Sequence, residues 1–314
     1  MSIEFIIAAL VTVIGISTPI LLAGLGELVV EKSGILNLGV EGMMLVGAIA
    51  GFATASMTGN PWLGVAGAAA GGALSALLFG VLVLALNSNQ VATGLALTIF
   101  GTGLSSLLGL SFTGRIIPQF GSIFPPELAK DPILRLIFGH SPLVYFALLM
   151  VPAVAWFLKS TRAGLILRAV GENDLSAHSI GYSVVGVRYV AIAFGGAMAG
   201  IGGAYFSMVI TPMWAEKMTA GRGWIALALV VFASWKAGRL LIGAFFFGVL
   251  MWLELNAKAG GLSFIPYAQL VPSQFWAAMP YAMTVVVLAL ISMRESSGSG
   301  NAPACLGKPF LPAT

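Results

Sequence analysis

Long apolar runs separated by short polar turns dominate this chain. Runs with few charged residues fall at about 5–25, 38–57, 62–86, 91–112, 142–158, 189–211, 223–235, 240–256 and 275–293. A helix crosses a bilayer with roughly 20 apolar residues, whereas a membrane barrel uses alternating strands of roughly ten. Backbone polar groups in lipid must be satisfied within the segment or by a closed sheet. The run lengths therefore predict an all-α, polytopic transmembrane helical bundle of about eight to ten spans. Pro19 lies inside the first run and predicts a kink. Thr58-Gly59-Asn60-Pro61 predicts a tight turn between the second and third runs. The strings QVATGLALTIFG from residue 90 and GRGWIALALVVF from residue 221 are alike, and each follows a glycine-rich hydrophobic pair. Interrupted spans at matching places point to an internal inverted repeat with broken helices around a central path. Low-complexity apolar sequence also produces such likeness.

Composition narrows the class. The chain is 59% hydrophobic and 8% charged with a mean hydropathy of +1.00, against about 25% charged residues in soluble domains. The spans leave room for a membrane domain over 1–293 and a flexible cytoplasmic tail over 294–314. The first run lacks a basic leader and a small-residue cleavage site, so it reads as a retained span. Basic residues set the orientation. Lys159, Arg162, Arg168 and Arg188 place the loop 159–188 in the cytoplasm, which puts 113–141 outside. Lys236, Arg239 and Arg294 then fall inside, as does 26–37. The net charge of +4 reads as this topology rather than as affinity for nucleic acid. Cys305 is the single cysteine, which excludes an internal disulfide and a cysteine metal cluster.

Candidate chemistry concentrates in two places. The stretch 26–42, GELVVEKSGILNLGVEG, holds Glu27, Glu31, Lys32 and Glu41, four of the chain's 15 basic and 11 acidic residues. Such groups persist in a membrane when paired, hydrated or buried in protein. Glu41, four residues after Asn37, reads as sharing a helical face with it, facing either a translocation path or a neighbouring helix. Glu27 and Lys32 read as a local ion pair or as solvated. Asn89, Gln90 and Thr93 cluster with Asn87 at the start of a span; they suit a ligand rich in donors and acceptors, or a helix cap. Phe100 is placed either to stack a base or to pack. The second place is the cytoplasmic loop. Asn173 or Asp174 is a good helix N-cap and Gly181 a good stop, which predicts a helix of about two turns between them. It reads as a docking knob for another protein, or as a solvated loop.

Enzymatic machinery is missing. Lys32-Ser33 follows Glu31 where a phosphate-binding loop requires glycine, and His140 and His178 stand 38 residues apart without a metal-ligand spacing. No catalytic residue, metal site or cofactor is expected on this chain.

The strings ELVVEKSGILNLGVEGMMLVGA, NQVATGLALTIFGTGLSSLLG, RAVGENDLSAHSIGYSVVGVRYVAIAFGGAMAGIGGAYFS and GRGWIALALVVFASWKAGRLLIGAFFFG, in this order, cover most of residues 20–250. They resemble ABC-importer permeases of the branch serving nucleosides, purines, riboflavin and simple sugars. The resemblance implies a channel of two permeases, this chain being the shorter of an unlike pair, in a bacterial-type inner membrane. It also implies two cytoplasmic ATP-binding subunits and an extracytoplasmic substrate-binding protein. The coupling-helix role maps onto Arg168, Glu172, Asn173, Asp174, Ala177 and Gly181. Asn37, Glu41, Asn89, Gln90, Thr93 and Phe100 are candidates for the path. The expected cargo is a small polar solute, a nucleoside or purine-like compound, with simple sugars or branched-chain amino acids as the alternative. A rival of another class is an ion-coupled secondary transporter using Glu27 or Glu41. Cys305 and the tail have no role in the resemblance.

Overall fold

The computed structural model describes residues 3–118, 120–259, 271–295 and 302–310. In chain order the helices are α1 (Ile3–Lys32), α2 (Val40–Thr58), α3 (Pro61–Gly80), α4 (Gln90–Gly109), α5 (Pro132–Phe138) and α6 (Pro142–Ser160). They continue as α7 (Arg162–Glu172), α8 (Asp174–Ser179), α9 (Val184–Tyr205), α10 (Arg222–Phe232), α11 (Ala237–Lys258) and α12 (Ser273–Glu295). Among the described residues, seven helices are long and apolar enough to cross a membrane. The all-α bundle expected from the run lengths is what forms.

Two local expectations change. The run at 223–235 becomes α10, only 11 residues, or about 16 Å of helix, half of what the hydrocarbon core requires. The look-alike run at residue 90 is not broken: α4 is a continuous 20-residue helix, so the two strings do not fold alike. Helix α1 carries Pro19 in its interior. The turn at 58–61 is as expected: Gly59 closes α2 at φ 68° and the Asn60 side chain accepts the Trp62 N–H at 2.9 Å. The tail also departs from expectation. Residues 302–310 are packed rather than free, because their main chain is hydrogen-bonded to the body; the tail positions 296–301 and 311–314 lie outside the described residues.

Helices α1, α2, α3 and α9 form the centre. Lipid tails are as apolar as leucine, so helices associate there by close backbone approach rather than by hydrophobic exclusion. Helix α9 supplies that approach at Gly200, which lies on the α3 main chain at Ala68 and Gly72 and against Gly47 of α2. A methyl group on Gly200 would fall on the Ala68 carbonyl oxygen. Gly200→Ala should therefore destabilise the purified chain by about 1–3 kcal/mol, read as a lower thermal inactivation midpoint in detergent. Gly103→Ala, whose added methyl meets nothing within 4 Å, should leave the midpoint unchanged. Equal midpoints for both variants would contradict the packing account.

Candidate functional site

The hairpin α7–α8 is built by caps that the local sequence specifies. Thr161 accepts the Gly164 N–H at 3.0 Å to start α7. Asn173, extended at φ −151°, ends α7 and accepts the Ser176 N–H at 2.9 Å to start α8. Gly181, at φ 92°, closes the knob. Of the residues expected to dock a partner, Glu172, Asn173 and Gly181 are exposed. Ala177 is buried against Val170 and Val184, and Arg168 and Asp174 are half-buried. Leu175 and Ile180 stand 54% and 70% exposed on the same knob. They give it an apolar contact surface that residue type alone did not single out.

The residue that joins this hairpin to the spans is Arg188. It lies in the first turns of α9 with no exposed surface. Its Nη2 donates to Asp174 Oδ2 at 3.1 Å, and its Nε donates to the Ser33 carbonyl oxygen at 3.2 Å. A guanidinium presents several donors in a rigid fork, which lets one side chain hold α8 and the end of α1 at fixed spacing. A basic residue at the start of a long apolar run was the available signal, since an intramembrane charge demands a named partner. Lys32, Glu31, Arg168, Glu172 and Lys236 gather near this end, close enough for their charges to interact.

From Ser33 the chain turns back into the bundle before α2 starts at Val40. Asn37 therefore lies in a turn and does not share a helical face with Glu41, contrary to the spacing argument; the helix begins three residues too late. Glu27 accepts the Asn37 N–H and Nδ2, each at 3.3 Å, and Asn37 Oδ1 accepts the Gly39 N–H at 2.9 Å. Glu27 is thus buried and binds Asn37, which differs from both readings of it, an ion pair with Lys32 or a solvated group. Glu31 accepts the Trp235 indole N–H at 2.5 Å, just beyond the end of α10.

Glu41 holds the other end of α10. Its Oε1 accepts the Gly221 N–H at 2.8 Å and the Thr219 hydroxyl at 2.5 Å, and its Oε2 accepts the Gly223 N–H at 2.6 Å. The first N–H groups of a helix have no intrahelical partner and carry the positive end of its dipole. A carboxylate from α2 satisfies them, so α10 is capped by another helix rather than by its own N-cap residue. The fit needs glycine twice. Gly221 is left-handed at φ 79°, and a methyl on Gly223 would lie 2.6 Å from the Glu41 Cα. The preceding turn is pinned as well: Arg222 Nη1 donates to the Met218 and Thr219 carbonyls at 3.3 Å, and Tyr281 of α12 donates to the Ala220 carbonyl at 2.7 Å.

On α4 the expected path residues separate. The Asn89 side chain accepts the Ala92 N–H at 3.0 Å, a helix cap. Gln90 is buried; its Oε1 accepts the Leu36 N–H at 2.8 Å and its Nε2 donates to the Lys308 carbonyl at 3.4 Å. Thr93, half-buried and bonded to Ser88 at 2.9 Å, and Phe100, 50% exposed, lie toward the open side of α4. The structure thus brings Glu41 to the start of α10 and Asn37 to Glu27 of α1, while Thr93 and Phe100 lie on the open side of α4.

The profile of the family described as "Branched-chain amino acid transport system / permease component" matches residues 9–288. A Haloferax volcanii protein, TsgC13, named as a glucose ABC transporter permease protein with that assignment marked provisional, is 40% identical over 92% of this chain and 93% of its own. The nucleoside ABC transporter permease protein NupC of Lactococcus lactis subsp. cremoris is 32% identical over 87% of this chain and 89% of its own. The guanosine ABC transporter permease protein NupQ of Bacillus subtilis is 29% identical over 94% and 93%.

Arg188→Ala should cost about 3–5 kcal/mol in folded stability, because Asp174 loses its buried partner. Glu172→Ala, on the exposed surface, should stay within about 0.5 kcal/mol of the parent. Thermal melts of the two purified variants check the pair. Glu41→Gln replaces an acceptor by an NH2 group facing backbone donors. It should speed amide exchange at residues 221–223 about tenfold, the equivalent of about 1.4 kcal/mol. Unchanged exchange there would contradict the capping role.

Proposed function

The chain belongs to the family of branched-chain amino acid transport system permease components, and from that premise we propose how it couples to its partners and what it carries. It is a multi-pass cell-membrane protein, the permease subunit of an ABC importer, and a transport component rather than an enzyme. In the proposed reading, a cytoplasmic ATP-binding subunit seats the α7–α8 knob through Leu175, Ile180, Glu172 and Asn173. Closure of the ATP-binding subunits shifts the knob, and the Asp174–Arg188–Ser33 connection passes the shift to the turn at 33–42. The helices on either side of that turn hold α10 at both ends, Glu31 from the last turn of α1 and Glu41 from the first turn of α2. The half-helix then tilts as a unit. The single observation that carries this reading is the fully buried Arg188 bonded to the knob and to the end of α1 at once.

A second, unlike permease completes the channel, and an extracytoplasmic binding protein delivers the solute. The open side of α4, with Thr93 and Phe100, faces the path between the two permeases. The cargo proposed is a nucleoside or purine-like compound; the names of NupC and NupQ support it, and Phe100 offers an aromatic face for a base. A simple sugar is the second reading, favoured by the 40% identity to TsgC13. The carboxylates that ion-coupled transport would need are committed elsewhere: Glu41 takes three protein donors and Glu27 takes two.

Leu175→Glu should weaken association with the ATP-binding subunit by about tenfold or more, since a charge replaces an apolar contact at a desolvated centre. Pull-down of the assembled subunits measures it, and undiminished association would contradict the docking surface. In proteoliposomes holding the whole complex, uptake of labelled guanosine should be competed by nucleosides and not by glucose. Competition by glucose alone would replace the nucleoside reading with the sugar one.

A further inference from the structure

Residues 302–310 return to the hairpin and cross it. The Cys305 N–H donates to the Gly171 carbonyl at 2.9 Å, and its thiol lies 3.6 Å from the Glu172 carbonyl oxygen. These are among the last carbonyls of α7, which have no partner within the helix, so the segment caps α7 from outside. The Gly307 N–H then donates to the Gly34 carbonyl at 3.1 Å, in the turn that follows α1. The Lys308 carbonyl accepts Gln90 Nε2 at 3.4 Å, at the first residue of α4. Phe310 meets the His178 ring edge-on at 5.5 Å and packs on the cluster of Val170, Ala177 and Val184. Pro303 is buried at the other end. One nine-residue segment therefore binds the knob, the turn after α1 and the start of α4.

The Arg188 connection ends on Ser33 and reaches α4 only through the turn. There the Leu36 N–H donates to Gln90 Oε1 at 2.8 Å and the Thr98 hydroxyl donates to the Leu38 carbonyl at 3.0 Å. The segment 302–310 adds a direct bond from the knob side to Gln90. We propose that residues 302–310 form a strap that carries displacement of the α7–α8 knob to α4, in parallel with Arg188, with Gln90 and Phe310 as its positioning residues. This rests on the proposed coupling role of the knob. The strap clamps the helix whose open side carries Thr93 and Phe100 to the element that meets the ATP-binding subunits. Without it, the knob still docks and still moves the turn after α1, but α4 follows only through the bonds of Leu36 and Leu38, and so less closely.

The test uses the full complex in proteoliposomes. One permease keeps its own sequence, a second has residues 302–310 replaced by glycine and serine except for Cys305, and others carry Gln90→Ala, Phe310→Ala or Phe310→Leu. The expected result is retained association with the ATP-binding subunits and retained nucleotide hydrolysis. Solute taken up per nucleotide hydrolysed falls about fivefold in the replaced strap and less in the alanine variants, with Phe310→Leu recovering most of it. If the replaced strap does not assemble, Phe310→Ala decides by the same ratio, because Gln90→Ala also removes the Leu36 bond. An unchanged ratio across all variants overturns the proposal. Cys305 gives a second reading in the isolated chain, because it is the single cysteine. Its alkylation by a maleimide should run about three- to tenfold slower in the parent than in Phe310→Ala, the edge-on ring pair being lost. Equal rates would mean that the strap is not seated, and would also overturn the proposal. If the parent complex takes up no solute on adding nucleotide, the coupling reading of the knob fails instead, and the alkylation rates still report on the strap.

Discussion

A carboxylate inside a lipid-embedded bundle must be given donors, and in this chain that requirement fixes the position of α10. Glu41 collects the two amides and the hydroxyl at the start of the half-helix. In low dielectric a charge-assisted bond is roughly twice as strong as a neutral one, and leaving any member unpaired carries a heavy desolvation cost. Separating the half-helix from Glu41 would leave a buried carboxylate and two helix amides without partners. Since α10 is too short to span the bilayer, its amino end must lie among protein. Glu41 makes that burial tolerable.

The same logic applies one level outward. Arg188 is fully buried and serves both Asp174 and Ser33, so the knob and the end of α1 are held by one rigid group rather than by flexible packing. Such groups are costly to separate, because their alternatives are unsatisfied charges rather than slightly worse contacts. Around this polar line the bundle is close-packed backbone on backbone, as at Gly200 against Ala68 and Gly47. That packing lets groups of helices move as blocks and gives the polar line rigid bodies to act on.

How much of this was legible in the sequence depends on whether the controlling interaction is local. The knob was readable because Asn173 and Gly181 act on their immediate neighbours. The spans were readable because run length alone meets the requirement of the bilayer. Asn37 and Glu41 were misplaced on one helical face because the start of α2 is set by partners distant in sequence, Glu27 and Gln90. The likeness of the strings at 90 and 221 concealed different folds, since α4 has an ordinary cap in Asn89 while α10 borrows Glu41. Arg188 was visible as a charge but not as a link, and the strap carried no local pattern, since its main-chain bonds and the packing of Phe310 are all made to residues distant in sequence.

The central claim is that the knob and the half-helix belong to one mechanical line. A double-mutant cycle on nucleotide-driven uptake tests it most directly, using Asp174→Asn, Glu41→Gln and the pair in the reconstituted complex. The account predicts strong non-additivity: the pair is little worse than the more harmful single variant, with an interaction of about 1 kcal/mol or more. Effects that simply add, within about 0.3–0.5 kcal/mol, would mean that the two sites act independently and would contradict the account.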